Sequence, residues 1–343
     1  MIIEIGFRPY VALAFPDESA FFSTGETPPR PEVRLIRSMA ELWGMLGAAD
    51  TELIVCHPNF VSPWTPRHIN RNIVSRRFIE GRSPLLRAIA PELLRRRRGR
   101  AKLIVLDHED LPVINRDNLF LLERCDLWFK RELPADHWRV FTKTAHPHLP
   151  TPRFRERARN VRWVEKLRPL SIGLPLGAGD LLPLAPAEKR FDLFFSGRVA
   201  GSSTLRARGL GELKALEGQG VTLDIPDTPL PRAEFYQRCA AAHLVWSPEG
   251  LGWDCFRHYE APACGSVPLI NQPWLDRHAP LIAGEHALYY DVEPGGLTRA
   301  VKAALADKSA LARMARAAQA HVMGHHTPQA LAEYVVREAR ALG

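Results

Sequence analysis

A repeated alternation of short apolar runs with helical patterns is the feature of this sequence that most constrains its fold. The runs contain four to six apolar residues, many of them β-branched or phenylalanine, and are centred near residues 54, 104, 127, 193, 223, 245, 269 and 289. They lack the strict polar alternation of half-exposed strands, so we expect parallel strands covered by helices on both faces. The sequence therefore predicts an α/β fold with doubly wound parallel sheets.

Helical patterns separate these runs. The segment 38–50 begins with Ser38 as N-cap, and Glu41 three residues later completes a capping box. Two further helical segments are predicted at 234–243 and 296–322.

The chain length of 343 residues exceeds the usual size of one compact core and predicts two domains. A stretch rich in proline and glycine, 147–186, lacks helical periodicity and is the predicted connection between them. We expect an N-terminal domain at 1–170, a C-terminal domain at 171–325, and a helix at 326–343 that is able to return to the N-terminal domain.

Several classes of protein are disfavoured by composition. No run of about 18 apolar residues is present to span a membrane, and the apolar N-terminus contains Glu4 and Arg8 without the features of an export signal. The five cysteines have no CxxC spacing, which argues against a zinc site or a disulfide framework. We therefore expect a soluble protein of the reducing cytoplasm.

The positive charge of the chain is concentrated in one segment. Between Arg67 and Arg100 there are eleven arginines and two acidic residues, a net charge of +9 within a chain whose formal charge is +8. Such a cluster favours a polyanionic partner such as DNA, an anionic glycan or an anionic membrane. The alternative is a solvated helix face. The predicted contacts to a polyanion in this cluster are Arg67, Arg71, Arg76 and Arg77.

The segment from Ser247 to Ile270 carries the most specific chemistry. It has the pattern of a glycine loop, a helix and a strand, and it follows the apolar run near 245. Gly250 and Gly252 permit close backbone approaches, and Asp254 is placed to cap a helix that begins near Cys255. The amides of that helix start form an anion site for a diphosphate, and Glu260 can accept hydrogen bonds from ribose hydroxyls.

This segment resembles the donor-binding motif of GT-B glycosyltransferases, in particular the exostosin-like branch with its pattern G-x-D-x-F-R-x-x-E-A. The positions that match include Gly252, Asp254, Phe256, Arg257 and Glu260. In related retaining enzymes two glutamates eight positions apart contact the donor, whereas here Gly252 stands at the first of these positions. Glu249, eleven residues before Glu260, is the candidate substitute, and retention or inversion of configuration stays open.

A second segment, FDLFFSGRV, resembles the first strand and loop of a GT-B C-terminal domain. The resemblance implies that Gly197 and Arg198 lie beside the donor phosphates, with Arg206 as a second candidate. An arginine at this place can pair with phosphate oxygens and stabilise the leaving diphosphate. Trp253 is interpreted either as a stacking partner for the base or sugar of the donor or as a packing residue.

The N-terminal half is similar to bacterial exostosin-like proteins in the segments AKLIVLDHEDLPVINRDN and RCDLWFKREL. The resemblance implies a ligand-facing strand end at which Asp107 or Glu109 is the base that deprotonates an acceptor hydroxyl. Lys130 and Arg131 are the implied contacts to a donor or acceptor phosphate. The histidines lack metal-ligand spacing and are interpreted as structural.

The resemblance implies two Rossmann-like domains that face a cleft, and a metal-independent hexosyltransferase that uses a nucleoside diphosphate sugar, UDP-sugar favoured, as co-substrate without another cofactor. The implied acceptor hydroxyl belongs to DNA with hydroxymethylated bases or to a cell-surface glycan. The alternative is a non-catalytic sensor of nucleotide sugars. A dinucleotide oxidoreductase is disfavoured because its glycine fingerprint belongs after the first strand of the domain.

Overall fold

The computed structural model describes residues 1–24, 31–58, 90–97, 99–146, 149–151, 158–182 and 187–342. Two compact units divide the chain. Unit 1 comprises Met1–Leu170 together with Ala332–Gly343, and unit 2 comprises Ser171–Leu331. The first unit is therefore built from two separate pieces of the chain, whereas the second is continuous.

Unit 1 contains a sheet of six parallel strands in the order β2-β1-β3-β4-β5-β8. The strands are β1 Ile2–Gly6, β2 Ser19–Ser23, β3 Leu53–Cys56, β4 Lys102–Asp107, β5 Leu127–Lys130 and β8 Leu167–Pro169, with β6 Lys143–His146 and β7 Leu149–Thr151 in a separate antiparallel pair. The described part of this unit contains the helices α1 Val11–Ala14, α2 Met39–Leu46, α3 Leu119–Arg124 and α4 Ala158–Val164. Strands β1, β3 and β5 are buried along their whole length, as expected for a sheet with both faces covered.

Unit 2 contains a sheet of five parallel strands in the order β10-β9-β11-β12-β13. These are β9 Phe191–Phe194, β10 Leu223–Asp224, β11 Ala242–Trp246, β12 Val267–Asn271 and β13 Leu288–Tyr290. The helices are α5 Thr204–Glu217, α6 Arg232–Ala240, α7 Phe256–Ala263, α8 Gly296–Leu305 and α9 Lys308–His325, and α10 Pro328–Ala341 runs on into unit 1. Aliphatic and aromatic side chains pack on both faces of the sheet.

The predicted α/β class with parallel sheets is confirmed, and each of the eight predicted apolar runs is a strand. The predicted N-terminus of α2 is also confirmed, because the Ser38 hydroxyl accepts a hydrogen bond from the Glu41 amide at 3.1 Å. The helical segment predicted at 296–322 is two helices, since Asp307 acts as N-cap for α9. Strands β1 and β2 were not predicted.

Within the residues that the structure describes, no helix combines the length and the hydropathy needed to cross a membrane.

Candidate functional site

Two loops at the carboxyl edge of the unit 2 sheet lie side by side. The first follows β9 and covers 195–199, and the second follows β11 and covers 247–255. Strands β9 and β11 are parallel neighbours in which Leu193 pairs with Leu244. Because parallel strands end at the same edge of the sheet, the two loops meet there. These two edge loops carry most of the residues predicted to bind a donor.

Arg206 connects the two edge loops through their backbone. The side chain lies in the first turn of α5 and is 7% exposed. The guanidinium donates to the carbonyl oxygens of Arg198 at 2.8 Å, Glu249 at 2.9 Å and Pro248 at 3.3 Å. Arg206, which was predicted to contact phosphate, therefore already uses its donors to bind carbonyl oxygens of both loops. Its position favours a role in fixing the shape of the loops.

Arg257 has unsatisfied hydrogen-bonding capacity. Its Nη2 atom donates to the Ser196 carbonyl at 2.8 Å, and the guanidinium lies 5.1 Å from the centroid of the Phe195 ring. Its Nε and Nη1 atoms are buried and have no hydrogen-bond partner in the described part of the chain. Burial lowers the pKa of Arg257 below its ordinary value, although the group remains a cation at neutral pH. Buried, charged donors without partners are costly and favour an anionic ligand.

Two glycines allow the arginines to approach the loops closely. A Cβ atom at Gly197 would lie 2.4 Å from Arg257 Nη2, and one at Gly250 would lie 3.0 Å from Arg206 Nη2. Gly252 closes the turn of the second loop, where its carbonyl accepts the Gly250 amide at 2.9 Å. The absence of a side chain at Gly197 and Gly250 thus allows a guanidinium group to lie against the backbone of each loop.

Helix α7 begins at Phe256, in agreement with the predicted start near Cys255. Its N-cap is Cys255, which makes no side-chain capping bond, so the prediction of Asp254 as N-cap is wrong. The Asp254 carboxylate, 3% exposed, accepts hydrogen bonds from the Ile172 amide at 2.6 Å and the Tyr259 hydroxyl at 2.7 Å. These contacts anchor the loop to the body of unit 2.

Glu249 is held by a reciprocal pair of hydrogen bonds with Asn271. The Glu249 amide donates to Asn271 Oδ1 at 2.9 Å, and Asn271 Nδ2 donates to Glu249 Oε2 at 3.1 Å. Partial burial raises the pKa of Glu249, while the Asn271 bond opposes that shift. Asn271 was not predicted; its only signal in the sequence is a polar residue at the end of the apolar run VPLIN.

Glu260 lies within α7 and is 9% exposed. Its Oε1 atom accepts a hydrogen bond from the Tyr236 hydroxyl at 3.0 Å. Burial raises the pKa of Glu260, and the Tyr236 bond and the charge of Arg257 act in the opposite direction. Tyr236 lies in α6, and nothing in the local sequence indicates this contact.

The remaining predicted donor residues differ in exposure. Trp253 is 2% exposed, and its indole N–H donates to the Asn271 carbonyl at 3.0 Å, which favours packing over stacking on a ligand. Phe256 is 40% exposed, and Arg198 has an exposed side chain without a hydrogen bond to the described residues.

The predicted residues of unit 1 lie at the carboxyl end of β4 and β5. Asp107 and Lys130 are paired across these strands, and Lys130 Nζ binds Asp107 Oδ2 at 2.9 Å with both side chains buried. The Trp128 indole and the Glu109 amide also donate to the Asp107 carboxylate. The positions of Asp107 and Lys130 therefore favour a structural ion pair over the predicted roles of base and phosphate contact.

Glu109 differs from Asp107 in this respect. It is partly buried, its carboxylate has no hydrogen bond to the described residues, and burial together with the Asp107 charge raises its pKa to about 7. Arg131, 7% exposed, pairs with Asp110 at 2.7 Å and donates to the His108 carbonyl.

The polyanion contacts predicted at Arg67, Arg71, Arg76 and Arg77 lie outside the described residues. Among the residues that are described, no group of three or more histidine, cysteine, aspartate or glutamate side chains is arranged to hold a metal ion.

Residues 228–337, about a third of the chain, match the family model described as glycosyl transferase-like. This match contains the second edge loop, α7 and Glu260. No curated protein sequence matches the chain.

Several solved structures share the fold over nearly the whole chain. Sucrose-phosphate synthase from Thermosynechococcus elongatus is 15% identical with a TM-score of 0.52, and the alignment covers 97% of this chain and 91% of that one. An alpha,alpha-trehalose-phosphate synthase (UDP-forming) from Burkholderia vietnamiensis is 12% identical with a TM-score of 0.56, covering 99% and 100%. An alpha-glucosyltransferase solved with UDP and a 13-mer DNA is 9% identical with a TM-score of 0.55, covering 99% of each chain.

The two parallel sheets with their alternating helices and these structural neighbours together identify an α/β protein of the GT-B fold, of which residues 228–337 match the family model described as glycosyl transferase-like.

Proposed function

We propose that the protein is a glycosyltransferase that binds a nucleoside diphosphate sugar through unit 2 and transfers the sugar to an acceptor hydroxyl. The observation that carries this proposal is Arg257, whose Nε and Nη1 donors are buried without partners. These donors lie within the segment that matches a glycosyl transferase-like family, next to a glycine that leaves space around the guanidinium. A diphosphate supplies the anionic oxygens that such donors require.

Four of the predicted donor residues receive a direct role in this proposal. Arg257, Arg198 and the first amides of α7 bind the diphosphate and stabilise its charge as it leaves. Glu260 accepts hydrogen bonds from the ribose, and Glu249, in the second edge loop, contacts the sugar. A UDP-sugar is favoured as donor because the trehalose-phosphate synthase neighbour is UDP-forming and the alpha-glucosyltransferase was solved with UDP.

A thermal-shift screen of nucleotide sugars and free diphosphates tests the donor site, because a ligand that binds only the folded protein raises its Tm. We expect a UDP-sugar to raise the Tm of the wild-type protein and to have little effect on Glu260→Ala. Glu217→Ala, an exposed glutamate at the end of α5, is the matched control and should keep the full shift. A full shift in Glu260→Ala would contradict the ribose contact.

For the acceptor we propose a polyanion, because eleven arginines fall between Arg67 and Arg100. One structural neighbour, the alpha-glucosyltransferase, was solved with DNA, which favours modified DNA over a cell-surface glycan as the first acceptor to test. Binding of duplex DNA should weaken steeply with salt, since neutralised phosphates release counterions. A gel-shift series from low to physiological salt measures this, and no binding at low salt would exclude DNA.

The second candidate is a sensor that binds nucleotide sugars without catalysis. It is favoured by the absence of a glutamate at position 252, where related retaining enzymes have one. Release of nucleoside diphosphate from a panel of donors separates the two functions. Release supports the transferase, whereas binding without release supports the sensor.

A further inference from the structure

A charged residue lies inside the central part of the unit 1 sheet. Glu4 occupies the middle of β1, between β2 and β3, and is completely buried. Its carboxylate accepts hydrogen bonds from the Tyr10 amide at 2.9 and 3.0 Å, from the Ala12 amide at 2.8 Å and from His57 Nε2 at 2.9 Å. A buried carboxylate is costly unless such partners are present, and groups of this kind concentrate at functional sites.

His57 is fixed in place by these contacts. It follows β3 directly, and its amide donates to the Ile5 carbonyl at 2.9 Å. Because the Glu4 carboxylate can only accept, Nε2 of His57 carries the hydrogen, and in the neutral ring the lone pair lies on Nδ1. Nδ1 has no hydrogen bond to the described residues, and the side chain is 13% exposed. Nδ1 is therefore the ring nitrogen with a lone pair that can accept a proton.

The surroundings of His57 leave its ring little freedom. A Cβ atom at Gly6 would lie 2.3 Å from Cδ2 of His57, so the ring rests directly on the backbone at the end of β1. The His108 ring is stacked with it at a centroid distance of 5.8 Å and an interplanar angle of 22°. His108 Nε2 is buried and has no partner among the described residues, and burial lowers the pKa of His108 to about 3. A neutral His108 beside His57 adds no permanent charge to the site.

His57 and His108 directly follow β3 and β4 and so lie at the carboxyl edge of the sheet, where open parallel sheets bind ligands, and Glu4 binds His57 from the middle of β1. We propose that His57, oriented by Glu4, is the general base that deprotonates the acceptor hydroxyl. The inference rests on the proposed function and adds a catalytic pair to it. No local sequence pattern indicates this pair, because Glu4 and His57 are 53 residues apart.

In a direct displacement, His57 Nδ1 takes the hydroxyl proton while the acceptor oxygen forms a bond to the anomeric carbon. The bond from that carbon to the β-phosphate oxygen breaks, and its electron pair leaves with the nucleoside diphosphate. The Glu4 carboxylate stabilises the imidazolium ion, which is the role of the acid in carboxylate–histidine pairs of other enzymes.

The two residues predicted from the sequence as the base fit that role less well than His57 does. The Asp107 carboxylate is occupied by Lys130, Trp128 and the Glu109 amide. The Glu109 carboxylate has a suitable pKa of about 7 but no contact with a described residue that orients it. A general base must be positioned as well as basic.

Hydrolysis of the donor tests the proposal without knowledge of the acceptor, because water then takes the acceptor's place. The variants are His57→Gln, whose amide can still donate to Glu4 but cannot accept a proton, and Glu109→Gln. His325→Gln, an exposed histidine of α9, is the matched control. For each protein the release of nucleoside diphosphate is measured with and without azide, a nucleophile that needs no deprotonation, and the UDP-induced rise in Tm reports binding.

We expect His57→Gln to bind UDP normally, to hydrolyse the donor about 100-fold more slowly, and to recover its rate with azide while forming the glycosyl azide. An unchanged rate in His57→Gln, a loss that azide does not restore, or an azide-rescued loss in Glu109→Gln alone would overturn the proposal. A wild-type protein that binds donors but never releases diphosphate would instead refute the proposed function, and the catalytic pair with it.

Discussion

Substitution of Arg257 should weaken ligand binding and have little effect on the stability of the protein. In the absence of ligand its two unpartnered donors contribute desolvation cost without compensation, and only the Nη2 bond to Ser196 favours the folded state. We expect Arg257→Met to change the free energy of unfolding by no more than about 1 kcal/mol. The affinity for UDP should fall at least about tenfold, as expected for loss of charged hydrogen bonds.

Urea unfolding and calorimetric titration with UDP measure the two quantities. Arg316→Met, an exposed arginine of α9, is the control and should change neither. A variant at Arg257 that loses stability but keeps its affinity would assign the arginine a structural role.

Glu109 should make the stability of unit 1 depend on pH. Its pKa is raised from 4.5 to about 7, so the folded state binds the proton more tightly than the unfolded state does. The destabilisation is therefore absent below about pH 4.5, grows from there to about pH 7, and is complete above that pH. Glu109→Gln removes the charge and should stabilise the protein at pH 8 by about 1–2 kcal/mol, after allowance for the partial exposure of the group.

Urea unfolding of Glu109→Gln at pH 8 and pH 4.5 measures this gain. The same gain at both pH values would show that the charge is not its cause.

At the residue scale, the sequence identifies groups but not their partners. Glu249, Arg257 and Glu260 were singled out because their types and spacing resemble a motif. Asn271 and Tyr236, which bind two of these carboxylates, lie on other elements and become neighbours only through the packing of α6 and β12. The same limit applies to His57, which its spacing alone suggested to be structural.

Among the elements, the two edge loops of unit 2 should depend on Arg206. Its three bonds to carbonyl oxygens are made from a nearly buried side chain, so their loss leaves buried acceptors unsatisfied. We expect Arg206→Gln to lower the free energy of unfolding by about 2–4 kcal/mol and to weaken UDP binding through disorder of the loops. Arg206→Lys should be intermediate, because an ammonium group cannot reach three carbonyls in a fixed fork.

Arg208→Gln, at an exposed position of the same helix, serves as the control for these variants. Urea unfolding and the UDP-induced Tm shift provide the measurements. Full stability in Arg206→Gln would mean that the loops are held by other contacts.

The elements found from the sequence are those whose burial leaves a continuous apolar run, such as LIVC in β3 and VPLIN in β12. Strand β1 lies equally deep in its sheet, but Glu4 interrupts its run, and the partners that make Glu4 tolerable come from Tyr10, Ala12 and His57. A local pattern cannot reveal a polar group that is satisfied by distant ones.

For the molecule as a whole, acid should destabilise unit 2 through His326. This histidine is buried between the Ser171 hydroxyl and the Ala279 carbonyl, each 2.8 Å from a ring nitrogen, and burial lowers its pKa from 6.5 to about 3. The folded state excludes a proton that the unfolded state binds below about pH 6.5. Stability should therefore fall by about 1.4 kcal/mol per pH unit from this group between about pH 6 and pH 3.

Urea unfolding between pH 7 and pH 4 measures the slope. His326→Asn should reduce the slope by about the contribution of one proton and should lower the stability at pH 7. His325→Gln, which removes only a minor effect of charge on His326, should alter the slope far less. Hydrogen exchange should show the first loss of protection in α9 and at 171–174. An unaltered slope in His326→Asn would assign the acid sensitivity to other groups.

The division of the chain into units depends on contacts that no local pattern contains. The predicted connection at 147–186 came from proline and glycine content, whereas residues after 331 join unit 1 through contacts between residues far apart in the sequence. Arg340 Nε binds Glu52 at 2.9 Å, and Lys102 Nζ donates to the Ala339 carbonyl at 3.2 Å.

The split construction of unit 1 has a practical consequence for dissecting the protein. Unit 2 is a single insert, Ser171–Leu331, and a gene fragment for it needs only two ends. Unit 1 produced by truncation after Leu170 would lack the last turns of α10 and expose the apolar faces that Val335, Val336 and Ala339 cover. An isolated first unit therefore calls for a spliced gene in which a short linker joins Leu170 to Ala332.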